Sequence, residues 1–423
     1  MSLSRFRYGF RTLILEFKFK NMKKRFIGLT FFLISMLAFC QKTNPELTKY
    51  VDFLEKQNVS AKDYVLGLFK KYDVVVLCER HHGEMTQYDL IYDIVSSPYF
   101  EKNVGNIFTE IGAVDQRKNI QNFIDSKFKN QNEKTEKQLD IYRNISAEIW
   151  EKTNFYNFLG KLNSLNSTLS ENRKINLFVS NSRNPNSEET NSIENYKKYF
   201  DVNWRYDREK IMAQNVITTF DSLKLNSQRK KALVIMNYRH AFSKSFFNDE
   251  RNVGDYLKEK YPQKFANVLI NNACPTLKVK DDEKDKPKIF QNMSEVLIQG
   301  GKWDASFALA RKENLGFNFE NSPFGKDYFD FFPYTKHSFS YQDVFTGFIF
   351  YLPIEKHVDS YGVENLSKGY ENEFYKRSSL LMKSLDREPN SIENIKNLSK
   401  VEEENSYDNL EKLIMMREQW LKK

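Results

Sequence analysis

"VVVLCERHHGE", Val74 to Glu84, decides how the rest of this chain is read. Five apolar residues in a row, Val74, Val75, Val76, Leu77 and Cys78, are too few for a helix. Their β-branching is the mark of a strand buried on both faces of a parallel sheet. The apolar run stops abruptly at Glu79, Arg80, His81 and His82, and only five histidines occur in all. Ligands of open α/β sheets bind outside the carboxyl ends of the strands, so these polar residues are placed for chemistry.

Similar short runs recur outward from this one: "NIFTE" (106 to 110), "INLFVS" (175 to 180), "ALVIMN" (232 to 237), "ANVLIN" (266 to 271) and "GFIFYL" (347 to 352). Between them lie stretches with three-to-four apolar spacing, such as "YDLIYDIV", "REKIMAQNVITTF" and "VGDYLKEKY". The alternation predicts an α/β fold, a mainly parallel sheet with helices on both faces. The gap from Asp115 to Arg173 exceeds one crossover helix and predicts a helical insertion, with "NIQNFIDSKF" and "ISAEIWEKTNFYNFLGKL" as its amphipathic pieces. "NSRNPNSEETNSIEN" (181 to 195) and "KVKDDEKDKPK" (278 to 288) are polar and charged loops. After Pro353 the chain turns polar and is expected to be helical to its end. The expected organisation is therefore an extension and signal over 1–40, an α/β core over 41–360 with its insertion at about 115–173, and a C-terminal helical tail over 361–423.

The chain has 423 residues, 40% of them hydrophobic and 15% aromatic, enough to bury a large core. Its net charge of +9 points toward nucleic acid until its distribution is considered. Residues 1 to 40 hold eight Lys/Arg and one acid, which leaves 65 − 8 = 57 bases and 56 − 1 = 55 acids, a net of +2. A near-neutral body argues against a phosphate-binding surface, and no nucleic-acid partner is expected. From Met22, "MKKRFIGLTFFLISMLAFCQ" has the cationic and apolar regions of a secretory signal, which makes Met22 the expected start and the protein exported to the periplasm or beyond. Either cleavage follows Cys40, or Cys40 is lipidated and tethers the chain to a membrane. Cys78 and Cys274 read as small buried residues, with no disulfide expected between them.

A second strand exit echoes the first. "ALVIMN" runs into Tyr238, Arg239 and His240, and "NIFTE" ends in Glu110. Three strand ends thus offer histidines and carboxylates to one crevice. Taken singly, each has a plainer structural account: a histidine after a strand is commonly a packing residue, Glu79 can pair with Arg80 or Arg239, and Glu110 can cap a helix. His337 and His357, in late loops, carry no such company. Together, a carboxylate-oriented imidazole, a second histidine and an arginine can activate water and stabilise an oxyanion. Two histidines and a carboxylate also form a ligand set for a divalent metal. HExxH, GxSxG and Walker motifs are missing.

In the order of these features the chain resembles the erythromycin esterase family, within a wider group that includes ChaN-like haem-binding lipoproteins and Tiki-type metalloproteases. "CERHHG" is similar to the opening Gly-Glu-x-x-His-Gly, with Cys78 at the first glycine, Glu79 at the glutamate and His82 and Gly83 at the His-Gly pair; His81 fits a shorter Gly-Glu-x-His form. Glu110 matches the second glutamate, Trp150 the tryptophan of the insertion, and "DREKIMAQNV" an Arg-x-x-x-Met-Ala-x-Asn helix that begins at Arg208. Asn237 stands where the esterases tend to have the first histidine of His-x-x-His, leaving His240. The resemblance spans roughly residues 60 to 355. It implies an exported hydrolase acting on an ester or related bond of a small-molecule substrate. His82 or His81 would be the base, Glu79 its orienting carboxylate, Glu110 a support, and His240 with Arg208 the stabilisers of the charged intermediate. The other branch implies a haem- or metal-binding protein in which His81 or His82 and His240 are ligands and no turnover occurs.

Overall fold

A computed structural model describes residues 44–244, 251–277, 293–331 and 339–423. The signal-like stretch 22–40 with Cys40, the charged loop 278–288 and His337 lie outside the described residues. The architecture is α/β. A seven-stranded sheet is built from β1 (Val74–Glu79), β2 (Asn106–Ala113), β3 (Asn176–Asn181), β4 (Ala232–Asn237), β5 (Phe265–Ile270), β8 (Leu315–Asn318) and β9 (Gly347–Phe350). Its order is β3-β2-β4-β1-β5-β9-β8, parallel throughout except for the edge strand β8.

β1 lies at the middle and all six of its residues are buried. Val75 and Leu77 pack into one apolar cluster with the helices Thr86–Val95 and Thr153–Thr168. Val74, Val76 and Cys78 pack into the other, with the helix Arg208–Asn226. A strand whose alternate side chains both meet helices needs apolar residues at every position, which is why the run is continuous. Cys78 and Cys274 are both free and buried. All six expected strands form, displaced by at most a few residues at their ends.

Part of the insertion departs from expectation. Helices form over Arg117–Asp125, Gln131–Arg143 and Thr153–Thr168, but Ile145 to Lys152 is not helical despite its apolar spacing. Its carbonyls have other partners: Ile145 accepts the Ala113 N–H at 2.7 Å, and Ser146 and Ala147 accept N–H groups of Arg377 at 2.5 and 3.4 Å. Tertiary hydrogen bonds thus replace the helical ones that local spacing favours. The chain after Pro353 also needs correction, because it is not wholly helical. Between and around the helices Glu371–Ser384, Ile392–Asn397 and Leu410–Lys422 it contributes β10 (Val358–Tyr361) and β11 (Glu402–Asn405), an antiparallel pair. Glu402, Glu403 and Glu404 are exposed, so β11 carries no apolar alternation to read. A second antiparallel pair, β6 (Ala273–Leu277) with β7 (Met293–Leu297), flanks the loop 278–292. Among the described residues no helix is long and apolar enough to cross a membrane.

Candidate functional site

Parallel pairing sets Glu79 on β1 opposite Asn237 on β4. His82 and His240, each three residues beyond that pair, consequently emerge at the same level of the sheet. Glu110 lies where the register of β2 against β3 shifts, and its Oε2 reaches β4 to accept the Asn237 N–H at 2.8 Å. Bulges of this kind redirect side chains beside functional sites. Arg208 opens the helix Arg208–Asn226 and lies across the cation-attracting face of Trp204, 4.8 Å from the ring centre.

These elements bring five of the six expected side chains together. His82 Nδ1 is 3.2 Å from Glu79 Oε2, and its Nε2 is 3.1 Å from Glu110 Oε1. Glu110 Oε2 is 3.9 Å from His240 Nε2, and Arg208 approaches Glu110 Oε1 at 4.0 Å. The far side of His240 meets a residue that sequence reasoning missed, Glu209, whose Oε1 lies 2.5 Å from Nδ1 in an ion-pair contact. Its only sequence signal is its place beside Arg208 in the first helical turn. The result is a chain of five groups, Glu79, His82, Glu110, His240 and Glu209, in which each imidazole sits between two carboxylates. Glu79 and Glu110 are 1% and 2% exposed, whereas the His82 side chain retains 27% exposure and is reached by solvent.

The two histidines meet different neighbours. Both His82 nitrogens face carboxylates, so both donate and the ring is an imidazolium. Burial alone would lower its pKa, but Glu110 and Glu79 outweigh that and hold it up to about 10. At His240, Arg208 Nη1 lies 3.3 Å from Nε2. On the other side of the ring Nδ1 lies 2.5 Å from Glu209 Oε1, so a cation and a carboxylate flank it. Burial pushes Glu110 up, but His240, His82 and Arg208 together hold it well below the usual carboxylate range. Glu79 is raised by burial, which His82 only partly offsets.

The remaining wall comes from the non-helical part of the insertion. Trp150 meets His82 edge to face, with ring centres 4.8 Å apart, and its buried Nε1–H has no hydrogen-bond acceptor among the described residues. Glu148, exposed to solvent, is close enough to Arg208 and His82 for both to act on its charge. Asn154 Nδ2 donates to the carbonyls of His82 and Glu84 at 2.7 and 2.9 Å, fixing the turn that carries His82. Asn237, in the place of the expected family histidine, donates its side-chain amide to the Arg80 carbonyl.

His81 is not part of this cluster. It turns the other way, Nε2 at 2.7 Å from Glu295 on β7 and Nδ1 at 3.8 Å from Asp359 on β10. Asp359 also accepts the Tyr361 hydroxyl at 2.6 Å and the Ser406 hydroxyl at 2.5 Å. His81 thereby ties the exit of β1 to both small strand pairs. Arg80 pairs not with Glu79 but with Glu84, and Arg239 approaches Glu209. His357 is a buried packing residue bonded by the Tyr407 hydroxyl at 3.0 Å and the Leu352 carbonyl at 3.2 Å.

Burial would lower the His81 pKa too, but Asp359 and Glu295 hold it up to about 10 from an unperturbed 6.5. A raised folded pKa gives stability that is complete below pH 6.5 and is lost as pH rises toward 10. Glu110, depressed in the fold, acts oppositely, its contribution being present above pH 4.5 and lost as pH falls. The melting temperature of His81→Gln is expected to fall less steeply than that of the parent between pH 6.5 and about 10. Parallel curves for the two proteins would show that His81 has no such role.

Among the described residues no group of three or more His, Cys, Asp or Glu side chains is arranged to hold a metal ion. Every nitrogen of His82 and His240 faces a carboxylate or the Arg208 guanidinium, so none is turned outward as an axial ligand for haem. As arranged, the cluster fits neither group.

No described protein family and no curated protein matches the chain. Three solved structures are similar to it. One is an erythromycin esterase mutant in its open conformation, 10% identical, with a TM-score of 0.41 over 67% of this chain and 91% of that one. Another is a Bacillus cereus protein, 11% identical, TM-score 0.38, over 65% and 86% of the two chains. The third is a succinoglycan biosynthesis protein, 12% identical, TM-score 0.38, over 55% and 76%. All three scores lie below 0.5, so the functional reading rests on the side chains alone.

Proposed function

We propose that the chain is an ester hydrolase of the kind the erythromycin esterase resemblance implies, acting through the His82 and His240 cluster on a small-molecule ester. The observation that carries this is the geometry of two imidazoles that share one carboxylate, His82 between Glu79 and Glu110 and His240 between Glu110 and Glu209, with Arg208 beside them. We assign His82, held as an imidazolium between Glu79 and Glu110, as the acid and His240 as the base, whereas the family motif implied His82 as base and His240 as a stabiliser of the charged intermediate.

As Arg208 swings from Nε2 of His240 toward the substrate carbonyl oxygen, water takes its place and gives a proton to Nε2 while its oxygen attacks the ester carbonyl carbon. Glu209 holds the imidazolium so formed. The carbonyl electron pair moves onto oxygen, where the Arg208 guanidinium stabilises the charge. On collapse the carbon–oxygen bond to the alcohol breaks, and the leaving oxygen takes a proton from His82. Glu110, between the two Nε2 atoms, returns the proton from His240 to His82 and restores the start. Ester and water become acid and alcohol, with no proton left over.

The test is a titrimetric pH–rate profile on p-nitrophenyl acetate and butyrate. Activity is expected to fall as pH rises toward 10, where His82 loses its proton, and His82→Gln should remove that limb along with most of the rate. Turnover unchanged in both His82→Gln and Glu110→Gln would end the hydrolase reading. The haem- or metal-binding alternative has no observation in its favour among these contacts.

A further inference from the structure

We propose that the large cavity beside the histidine cluster is a subsite for a neutral, hydroxyl-rich group, such as a sugar, carried by the substrate; this rests on the hydrolase reading above. The cavity has a volume of about 700 Å³, within the usual span of small-ligand sites. It lies between the insertion, the polar loop after β3 and the helix Glu371–Ser384.

Three chain segments that build the catalytic cluster go on to line this cavity. β2 supplies Glu110, and the short turn Val114–Gln116 that follows it supplies Asp115. β3 ends at Asn181, whose Oδ1 receives Arg208 Nε at 3.5 Å, and three residues later Asn184 lines the cavity. Asn144 and Ala147 line it too, and three residues beyond Ala147 the ring of Trp150 packs on His82. Three residues span roughly 11 Å at most, so the last two of these segments put the cavity lining within that backbone distance of residues that touch the cluster, and one substrate is proposed to span both.

The lining is rich in side-chain amides, Asn122, Asn144 and Asn184 among them, with Phe128 and Tyr196 as aromatic surface. An amide both donates and accepts, matching a hydroxyl that does the same. Three carboxylates and two cations line the cavity, a net of one negative charge that gives no strong hold on an ion. Asn184 shows an open place in the network. Its N–H donates to Asp115 Oδ1 at 2.8 Å, and its Nδ2 donates to Asp115 Oδ2 at 3.2 Å and the Asn144 carbonyl at 3.1 Å. Its buried Oδ1 has no donor among the described residues. A buried acceptor without a partner is costly, and a ligand hydroxyl would supply the missing bond.

The experiment is saturation-transfer NMR on the full chain with methyl glucoside, methyl galactoside, methyl rhamnoside and myo-inositol, repeated on Asn184→Leu and on the exposed-site variant Asn122→Ala. At least one probe is expected to receive saturation from the parent protein, with affinity about tenfold weaker in Asn184→Leu and reduced in Asn122→Ala. In parallel, the KM for acetylated methyl glucoside should rise about tenfold in Asn184→Leu while p-nitrophenyl acetate turnover stays unchanged. No transfer to any probe, or equal transfer in parent and both variants, overturns the subsite. Probe binding lost in the variants, with neither ester hydrolysed by the parent, would keep the cavity's ligand class and remove the hydrolase reading.

Discussion

His240→Ala is expected to slow ester hydrolysis by about 10³-fold, the usual range for a lost general base. The loss should fall on kcat and kcat/KM together, because the proton moves only in the transition state. His240 is 8% exposed, and its two neighbours, Glu209 at 2.5 Å and Arg208 at 3.3 Å, would both lose a partner. Glu209→Gln is the informative companion. It leaves the shape of the site but removes the charge that steadies the imidazolium, so the rate should drop, though less than in His240→Ala. A His240→Ala enzyme within about threefold of the parent, beside a silent His82→Gln enzyme, would return the base to His82.

The largest effect on stability is expected at Arg80, which is 1% exposed under the floor of the site. Its Nε donates to the Asn271 carbonyl at 2.7 Å, Nη1 to Glu84 Oε2 at 3.0 Å and Thr86 Oγ1 at 2.9 Å, and Nη2 to Asn271 Oδ1 at 2.7 Å and the Tyr351 carbonyl. Glu84 in turn accepts the N–H groups of Thr86 and Gln87 at 2.9 and 2.8 Å, a carboxylate at the free N–H groups that open a helix. Arg80→Met would leave Glu84 buried without its cation, at a cost of about 3–5 kcal/mol. That is a large part of an ordinary folding margin, so the variant should unfold at much lower denaturant. Arg80→Met with Glu84→Gln should recover part of the loss, since no uncompensated charge is then buried. A single variant as stable as the parent to within about 1 kcal/mol would show that water or relaxation reaches Glu84.

Legibility in the sequence followed the range of the interaction. β1 to β5 and β9 were readable because a strand covered on both faces must be apolar at each position, a local signal. β11 was not, because Glu402–Asn405 is held by pairing to β10 from 41 to 47 residues away in sequence and needs no apolar face. Ile145 to Lys152 shows the opposite error. Its helical spacing is real, but Arg377, more than 220 residues later, takes its carbonyls.

At the site, residue types at the strand exits were enough to nominate Glu79, His82, Glu110 and His240, the family resemblance added Arg208, and these do meet. Adjacent histidines, however, look alike in a sequence. Only the path of the chain beyond β1 turns His82 onto Glu110 and His81 onto Glu295, 214 residues away. Glu209 and the raised pKa of His82 were equally out of reach, because a pKa belongs to the groups that surround a ring, not to the ring. The sequence alone determined the α/β architecture and the edge of the sheet where polar groups gather, since both follow from local periodicity. Which groups pair there, and so which carboxylates each histidine meets, only the tertiary structure decided, through distances of a few ångströms between segments that the chain keeps far apart.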